Sequence, residues 1–233
     1  MAELTPMMRQ YMKIKEQHSD AILFFRLGDF YEMFQDDAKT ASKELDLTLT
    51  TRDRNKEDPE DRVPMCGVPY HSSEAYIARL VAKGYKVAIC EQMEDPATAK
   101  GLVDRDIVRI ITPGTVIDSS MLEDGRPNYL SAVYMCPRGS AACFVDISTG
   151  ELCARSFPSG EEDRILNELA RFSPSEAVIN SSAGEYEPMT DLLKTRLGSL
   201  VEIQDYRFDA RRAAQDICAQ FSVASPDELG LSG

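Results

Sequence analysis

Residues 21–37, AILFFRLGDFYEMFQDD, constrain the fold more than any other stretch of this chain. Residues 22–25 are an apolar run of strand character. Gly28-Asp29 is a turn pair, and Phe30-Tyr31-Glu32-Met33-Phe34 then resumes extended alternation. In a strand, side chains i and i+2 share a face, so Phe30 and Glu32 stand side by side while Tyr31 and Met33 point the other way. Two readings are open: Phe30 is buried with Glu32 at a solvated strand end, or the aromatic and the carboxylate are displayed together.

The surrounding segments alternate between helical and extended patterns. Thr5-Pro6 reads as an N-cap with proline at the first helical position, and Met7, Tyr11 and Ile14 recur at helical spacing to about residue 17. A second helix is predicted over 36–45 and a strand over 47–50, followed by a mixed-charge loop over 52–62. Arg52 is either part of that solvated loop or a phosphate contact at the strand's end. Pro64-Met65-Cys66-Gly67-Val68-Pro69 reads as a rigid, non-helical loop, with Met65 either core or groove contact. A helix stopped by Gly84 and strands at 86–89 and 105–111 follow.

Beyond Thr112-Pro113-Gly114-Thr115 the period is lost until Asn128, which reads as a linker over 116–128 between domains at 1–115 and 129–233. Three strands at 129–136, 141–147 and 151–157 suit an antiparallel meander. Helices at 161–171, 188–196 and 210–221 then alternate with strands at 176–179 and 200–204. The predicted fold class is therefore α/β. It comprises an N-terminal mixed α/β domain with a mixed sheet flanked by helices, then a ribonuclease H-like α/β domain.

Composition limits the chemistry. At 233 residues with a net charge of −13, the chain is not a general nucleic-acid binder, because phosphate neutralisation by Lys and Arg normally dominates affinity. The first 115 residues hold 16 basic and 20 acidic side chains, the remainder 10 and 19, so the acidity is concentrated in the second half. The six cysteines have no C-x-x-C spacing, and His18 and His71 are the only histidines, so no zinc framework is present. The N-terminus lacks a signal-peptide pattern and no stretch has the apolar length of a membrane span, which predicts a cytosolic protein with reduced thiols.

Gly28-Asp29-Phe30-Tyr31-Glu32-Met33-Phe34 resembles the Phe-X-Glu motif of the MutS family of DNA mismatch-recognition proteins. Further collinear segments agree: Thr5-Pro6-Met7-Met8, Asp37-Ala38-Lys39, residues 47–52, Pro64 through His71, residues 87–92 and Ile111 through Thr115. The resemblance is close over the first 115 residues and looser to the end. It implies an N-terminal fragment of a bacterial protein, with a mismatch-reading domain followed by a connector domain. No G-x-x-x-x-G-K-[ST] is present; the resemblance implies that ATP and Mg²⁺ serve the full-length protein, with no cofactor in this fragment.

The resemblance also assigns roles. Phe30 would wedge into the base stack at a mispair from the minor groove, and Glu32 would hydrogen-bond the mispaired base. Met65 lies beside the groove, and Arg52 and Arg109 position the DNA backbone. The acidic residues Asp53, Glu57, Asp58, Glu60 and Asp61 depart from what a DNA-facing loop would carry. Expected partners are mismatched duplex DNA, bound weakly by the fragment alone, and a MutL-type protein docking on the second domain. The fragment is expected to be a monomer and the full-length protein a dimer.

Two other classes remain: a metal-dependent nuclease of ribonuclease H-like fold using Asp146, with Glu168 as a helical candidate, or a pure protein-interaction module. Asp146 precedes Ser148-Thr149-Gly150, where a carboxylate is also ordinary turn chemistry.

Overall fold

A computed structural model describes residues 5–52, 62–94, 101–123 and 125–231. The chain divides into two compact units, Met1–Arg126 and Pro127–Gly233, and each carries a mixed sheet with helices.

In the first unit, Ala21, Ile22, Leu23, Phe24 and Phe25 are all buried. A strand buried on both sides belongs at the centre of a sheet. This strand, β1 (Ala21–Leu27), pairs antiparallel with β2 (Phe30–Phe34) and parallel with a strand that we number β5 (Lys86–Gln92). With β3 (Thr50–Thr51), β4 (Pro64–Pro69) and β6 (Arg105–Ile111), the sheet order is β3-β4-β2-β1-β5-β6.

Helix α1 (Pro6–Gln17), capped by Thr5, covers one face. Met7, Met8, Tyr11 and Ile14 pack there against Leu23, Phe25, Phe34 and Cys90. On the other face, α2 (Gln35–Leu45) and α3 (Ser73–Ala82) bring Ala38, Ala41, Leu45, Ile77, Leu80 and Val81 onto Ile22, Phe24, Tyr31 and Met33. A buried polar node ties the layers together. The Tyr11 hydroxyl donates to Asp37 (3.2 Å), and Asp37 accepts the Leu23 N–H (3.0 Å) and pairs with Lys15 (2.9 Å).

Two sequence expectations fail here. Residues 47–49 are not strand, and only Thr50–Thr51 pairs. Asp46 ends α2 in the left-handed region (φ 59°), and the Leu47 N–H returns to Ser42 O (3.0 Å), which turns the chain out of extension. Conversely, Pro64–Pro69 is a strand rather than a loop. Its two prolines stand at the ends, where a missing N–H breaks few ladder bonds. Residues 53–61, the acidic part of the predicted loop, lie outside the described residues. Val116 is buried in the first core, with Met121 and Leu122 packed against it, so the start of the stretch read as linker is part of the first unit's packing.

The second unit opens with the meander β7 (Tyr129–Cys136), β8 (Gly139–Asp146) and β9 (Glu151–Pro158). Strands β10 (Glu176–Ile179) and β11 (Leu200–Ile203) then add in parallel, giving the order β11-β10-β7-β8-β9. Helix α4 (Glu162–Phe172) supplies Ile165 and Leu169 to a core with Val133, Phe144, Ala177 and Ile179. The helix expected over 188–196 is helical throughout, as α6 (Glu187–Asp191) running into a π-helical turn, Leu192–Arg196, and a short helix not expected from the sequence, α5 (Ser181–Glu185), precedes it. Tyr186 adopts an extended conformation between α5 and α6 and separates the two, one residue before Glu187 and two before Pro188. Helix α7 (Ala210–Phe221) follows β11. Among the described residues, no helix is long and apolar enough to cross a membrane.

Candidate nucleic-acid interface

The β1–β2 hairpin closes at Leu27↔Phe30, leaving Gly28 and Asp29 as a two-residue turn. Gly28 sits at φ 57°, a conformation that glycine adopts without a Cβ penalty, and glycine leads the turns that suit strand twist. Phe30 is the first residue past the turn and is 47% exposed, whereas Met33 and Phe34 have no exposed surface. The alternation of β2 holds as predicted: Phe30, Glu32 and Phe34 face the α1 side, and Tyr31 and Met33 face the α2/α3 core.

Glu32 is half-buried opposite Gly67 of β4. A Cβ at Gly67 would stand 3.2 Å from the Tyr31 carbonyl oxygen and 3.5 Å from Glu32 Cγ, so the glycine leaves the space beside the carboxylate stem. Burial pushes the Glu32 carboxyl above the ordinary carboxylate range, and the nearby Arg52 guanidinium opposes this. The Arg52 Nη1 to Glu32 Oε2 distance is 3.5 Å, a loose pair that leaves Arg52 42% exposed. Arg52 is held at the end of β3 by its N–H donating to Val63 O (3.3 Å).

Met65 lies directly opposite Phe34 and packs, half-buried, on the α1-side core. Phe30, Glu32 and Met65 therefore share one sheet face, Phe30 at the turn end of β2 and Met65 opposite its other end, with Glu32 between them and Arg52 reaching Glu32. Arg109 is not with them. It is exposed on β6 at the other edge, three strands from β2, or about 14 Å at ordinary strand spacing. It pairs with Ile89, whose side chain belongs to the α2/α3 core, and its charge acts on Asp118.

A second cluster, not anticipated from sequence, sits behind the hairpin on the face away from Phe30. Arg26 Nε donates to Gly28 O (2.5 Å), its guanidinium lies 3.6 Å from the centre of the Tyr70 ring, and Nη1 is 3.6 Å from Glu91 Oε2. The Tyr31 hydroxyl donates to the other Glu91 oxygen. Burial, and then that bond, push the phenol up to about 12. The Tyr70 N–H closes the cluster on Asp29 O (2.9 Å). Tyr70 and Glu91 fall in segments that the family resemblance had marked, but nothing in the sequence joined them to Arg26.

In the second unit, Asp146 is 2% exposed and serves the turn after β8. It accepts from Ser148 Oγ (2.6 Å), Ser148 N–H (2.9 Å), Asn128 N–H (3.1 Å) and Thr149 N–H (3.4 Å). Glu168 is engaged by Arg155 (2.8 Å) and Arg171 (3.4 Å). Among the described residues, no group of three or more His, Cys, Asp or Glu could hold a metal ion.

An exposed aromatic beside a half-buried carboxylate thus stands on a mixed α/β unit that precedes a meander-plus-parallel unit. Family models agree: MutS domain I matches residues 5–120, and MutS domain II matches residues 128–233. The DNA mismatch repair protein MutS of Acetivibrio thermocellus is 50% identical over 219 residues, 93% of this chain and 25% of that protein. That of Alkaliphilus oremlandii is 47% identical over 236 residues, covering 100% of this chain and 26% of its own length. That of Clostridium tetani is 56% identical over 178 residues, or 76% and 20%. The chain belongs to the MutS family, and it spans about a quarter of the length of these curated relatives.

Proposed function

We propose that this chain is the mismatch-reading part of a DNA mismatch repair protein of the bacterial cytosol. Phe30 enters the base stack from the minor groove at a mispair, and Glu32 hydrogen-bonds the mispaired base. The groove offers a degenerate code of base edges, so reading there is largely a test of deformability. Unstacking a step costs a few kcal/mol, and the cost is lowest where pairing is already defective.

The observation that carries this reading is the exposure of Phe30, 47%, at the end of a sheet whose neighbouring aromatics Phe24, Phe25 and Phe34 are fully buried. Glu32 complements it. Against intact duplex a carboxylate adds repulsion with no compensating bond. At a mispair it accepts from an exposed N–H, or, when protonated as its burial favours, donates to a purine N7. Arg52 and Met65 adjoin Glu32 and contact the backbone and groove. Arg109 contacts DNA only if the duplex also reaches the β6 edge. The net charge of −13 leaves most phosphate attraction to the rest of a longer protein, which also supplies ATP and Mg²⁺ chemistry and dimerisation. The second unit relays the signal and docks a MutL-type partner.

Titration of labelled duplexes with and without a mispair, at fixed salt and with the full-length protein, tests the reading. Phe30→Ala removes the heteroduplex preference, and Glu32→Gln tightens homoduplex binding relative to mismatch. Unchanged discrimination in the Phe30 variant discards the wedge.

A further inference from the structure

We propose that Arg26 is a positioning residue: clamped between Tyr70, Glu91 and the turn carbonyl of Gly28, it holds the hairpin tip so that Phe30 meets DNA as a rigid wedge. The inference rests on reading Phe30 as the ring that enters the stack.

The backbone ladders leave the hairpin tip unfixed. Strands β1, β2, β4 and β5 are joined by their ladders, but the β1–β2 ladder ends at Leu27↔Phe30, and Gly28-Asp29 lies beyond it. A glycine turn at a hairpin tip is soft, and Phe30 is attached directly to it. Arg26 and Tyr70 supply bonds to that turn. Arg26 Nε reaches Gly28 O, and Tyr70 N–H reaches Asp29 O. Both carbonyls of the turn are thereby held by groups that are themselves anchored. Arg26 is held by Glu91 on β5, with its side chain only 16% exposed, and the Tyr31 hydroxyl fixes Glu91 in turn.

The use of arginine is specific. One edge of the guanidinium bonds the turn, another meets the carboxylate and its flat face lies on the Tyr70 ring, a combination that a lysine ammonium does not reproduce. A wedge discriminates only if resistance from an intact stack is not absorbed by bending of its own mount. A loosened tip lets the ring yield against sound and defective steps alike, and a site held loosely loses selectivity before it loses its fold.

Arg26→Lys in the full-length protein is expected to lower the mismatch-to-homoduplex affinity ratio by roughly tenfold, the size of one partly desolvated cation–π contact. Tyr70→Ala, at an exposed position, acts in the same direction, and Tyr70→Phe, which keeps the ring, rescues the ratio. In a Phe30→Ala background, Arg26→Lys should change the ratio no further. A second readout needs no DNA. The 233-residue chain has no tryptophan, so in that chain Phe30→Trp places a single reporter at the tip, and adding Arg26→Lys should lower its fluorescence anisotropy. If Phe30→Ala abolishes discrimination while both Arg26→Lys and Tyr70→Ala keep it, the brace is refuted and the wedge stands. If Phe30→Ala itself changes nothing, the wedge reading fails. The brace then falls too if the anisotropy is unmoved by Arg26→Lys.

Discussion

Glu32 and Asp146 are both strand carboxylates out of full contact with water, one in each unit, and their surroundings push them in opposite directions. Around Glu32, burial dominates and one loose arginine opposes it, so the carboxyl rises above its ordinary value. Around Asp146, burial also pushes upward, but hydrogen bonds from Ser148, Asn128 and Thr149 together outweigh it and hold the carboxyl low. Asp146 has its lone pairs engaged by its own turn and by the Asn128 N–H before β7, and is committed to structure. Glu32 sits beside an exposed ring and, among the described residues, is met only by Arg52 at 3.5 Å, so its environment does not commit it to structure as that of Asp146 does. The same contrast separates the aromatics. Phe144 has no exposed surface and stacks on Phe172 with centroids 4.1 Å apart, whereas Phe30 projects.

If this contrast is sound, the largest effects on stability belong to the structural members. Phe144→Ala should cost about 4 kcal/mol, read as a fall in the urea midpoint at unchanged slope, while Phe30→Ala stays within about 0.5 kcal/mol of wild type. Equal losses would place Phe30 in a core and end the comparison. Asp146→Ala should come next, near 2 kcal/mol, because it removes a buried carboxylate that accepts from Ser148, Thr149 and Asn128 at the end of β8. Preserved stability in that variant would return Asp146 to the pool of groups free for chemistry.

The pattern of residues made much of this legible. Helix caps, the buried run of β1, the two-residue turn and the alternation of β2 are local, and each is written in consecutive residues. What failed was non-local. Leu47-Thr48-Leu49-Thr50 alternates like a strand, but among the described residues no strand pairs with 47–49, and a left-handed Asp46 decides their path. Pro64–Pro69 has the composition of a loop, yet β2 supplies a neighbour with which its four central residues pair, and Gly67 falls opposite Glu32. Arg109 was grouped with the site by family resemblance, and only strand order shows that it stands at the other edge. The Arg26 cluster was invisible for the same reason, since it joins residues 26, 31, 70 and 91 through pairings that no window of sequence contains.

Gly67→Ala probes the Glu32 niche with a smaller perturbation. The added Cβ presses on the Tyr31 carbonyl at 3.2 Å and fills the space against Glu32 Cγ at 3.5 Å, so a loss of about 1 kcal/mol is expected, together with weaker mismatch discrimination as the Glu32 stem loses room to move. Lost stability with intact discrimination would mean that the carboxylate does not depend on the space opposite it.

The smallest effect is also the sharpest test of the contrast, because the two carboxylates must give opposite signs. A carboxyl whose pKa is raised by folding takes up its proton more readily in the folded state. Its contribution to stability is fully present below the ordinary value, 4.5 for Glu32, and is lost as pH rises through the folded value. Glu32→Gln removes that loss, so the stability of the variant minus that of wild type should climb as pH rises above 4.5 and then level off. Asp146 works the other way. Its contribution is present above its ordinary 3.8 and lost as pH falls through the lower folded value, so the penalty of Asp146→Asn should shrink on acidification. Urea midpoints measured from pH 3 to 7 give both difference curves. A flat curve for Glu32→Gln would show that its carboxyl titrates as it does in the unfolded chain. The protonated donor would then disappear from the mechanism, and Glu32 would be left to act on DNA as an ordinary charged acceptor.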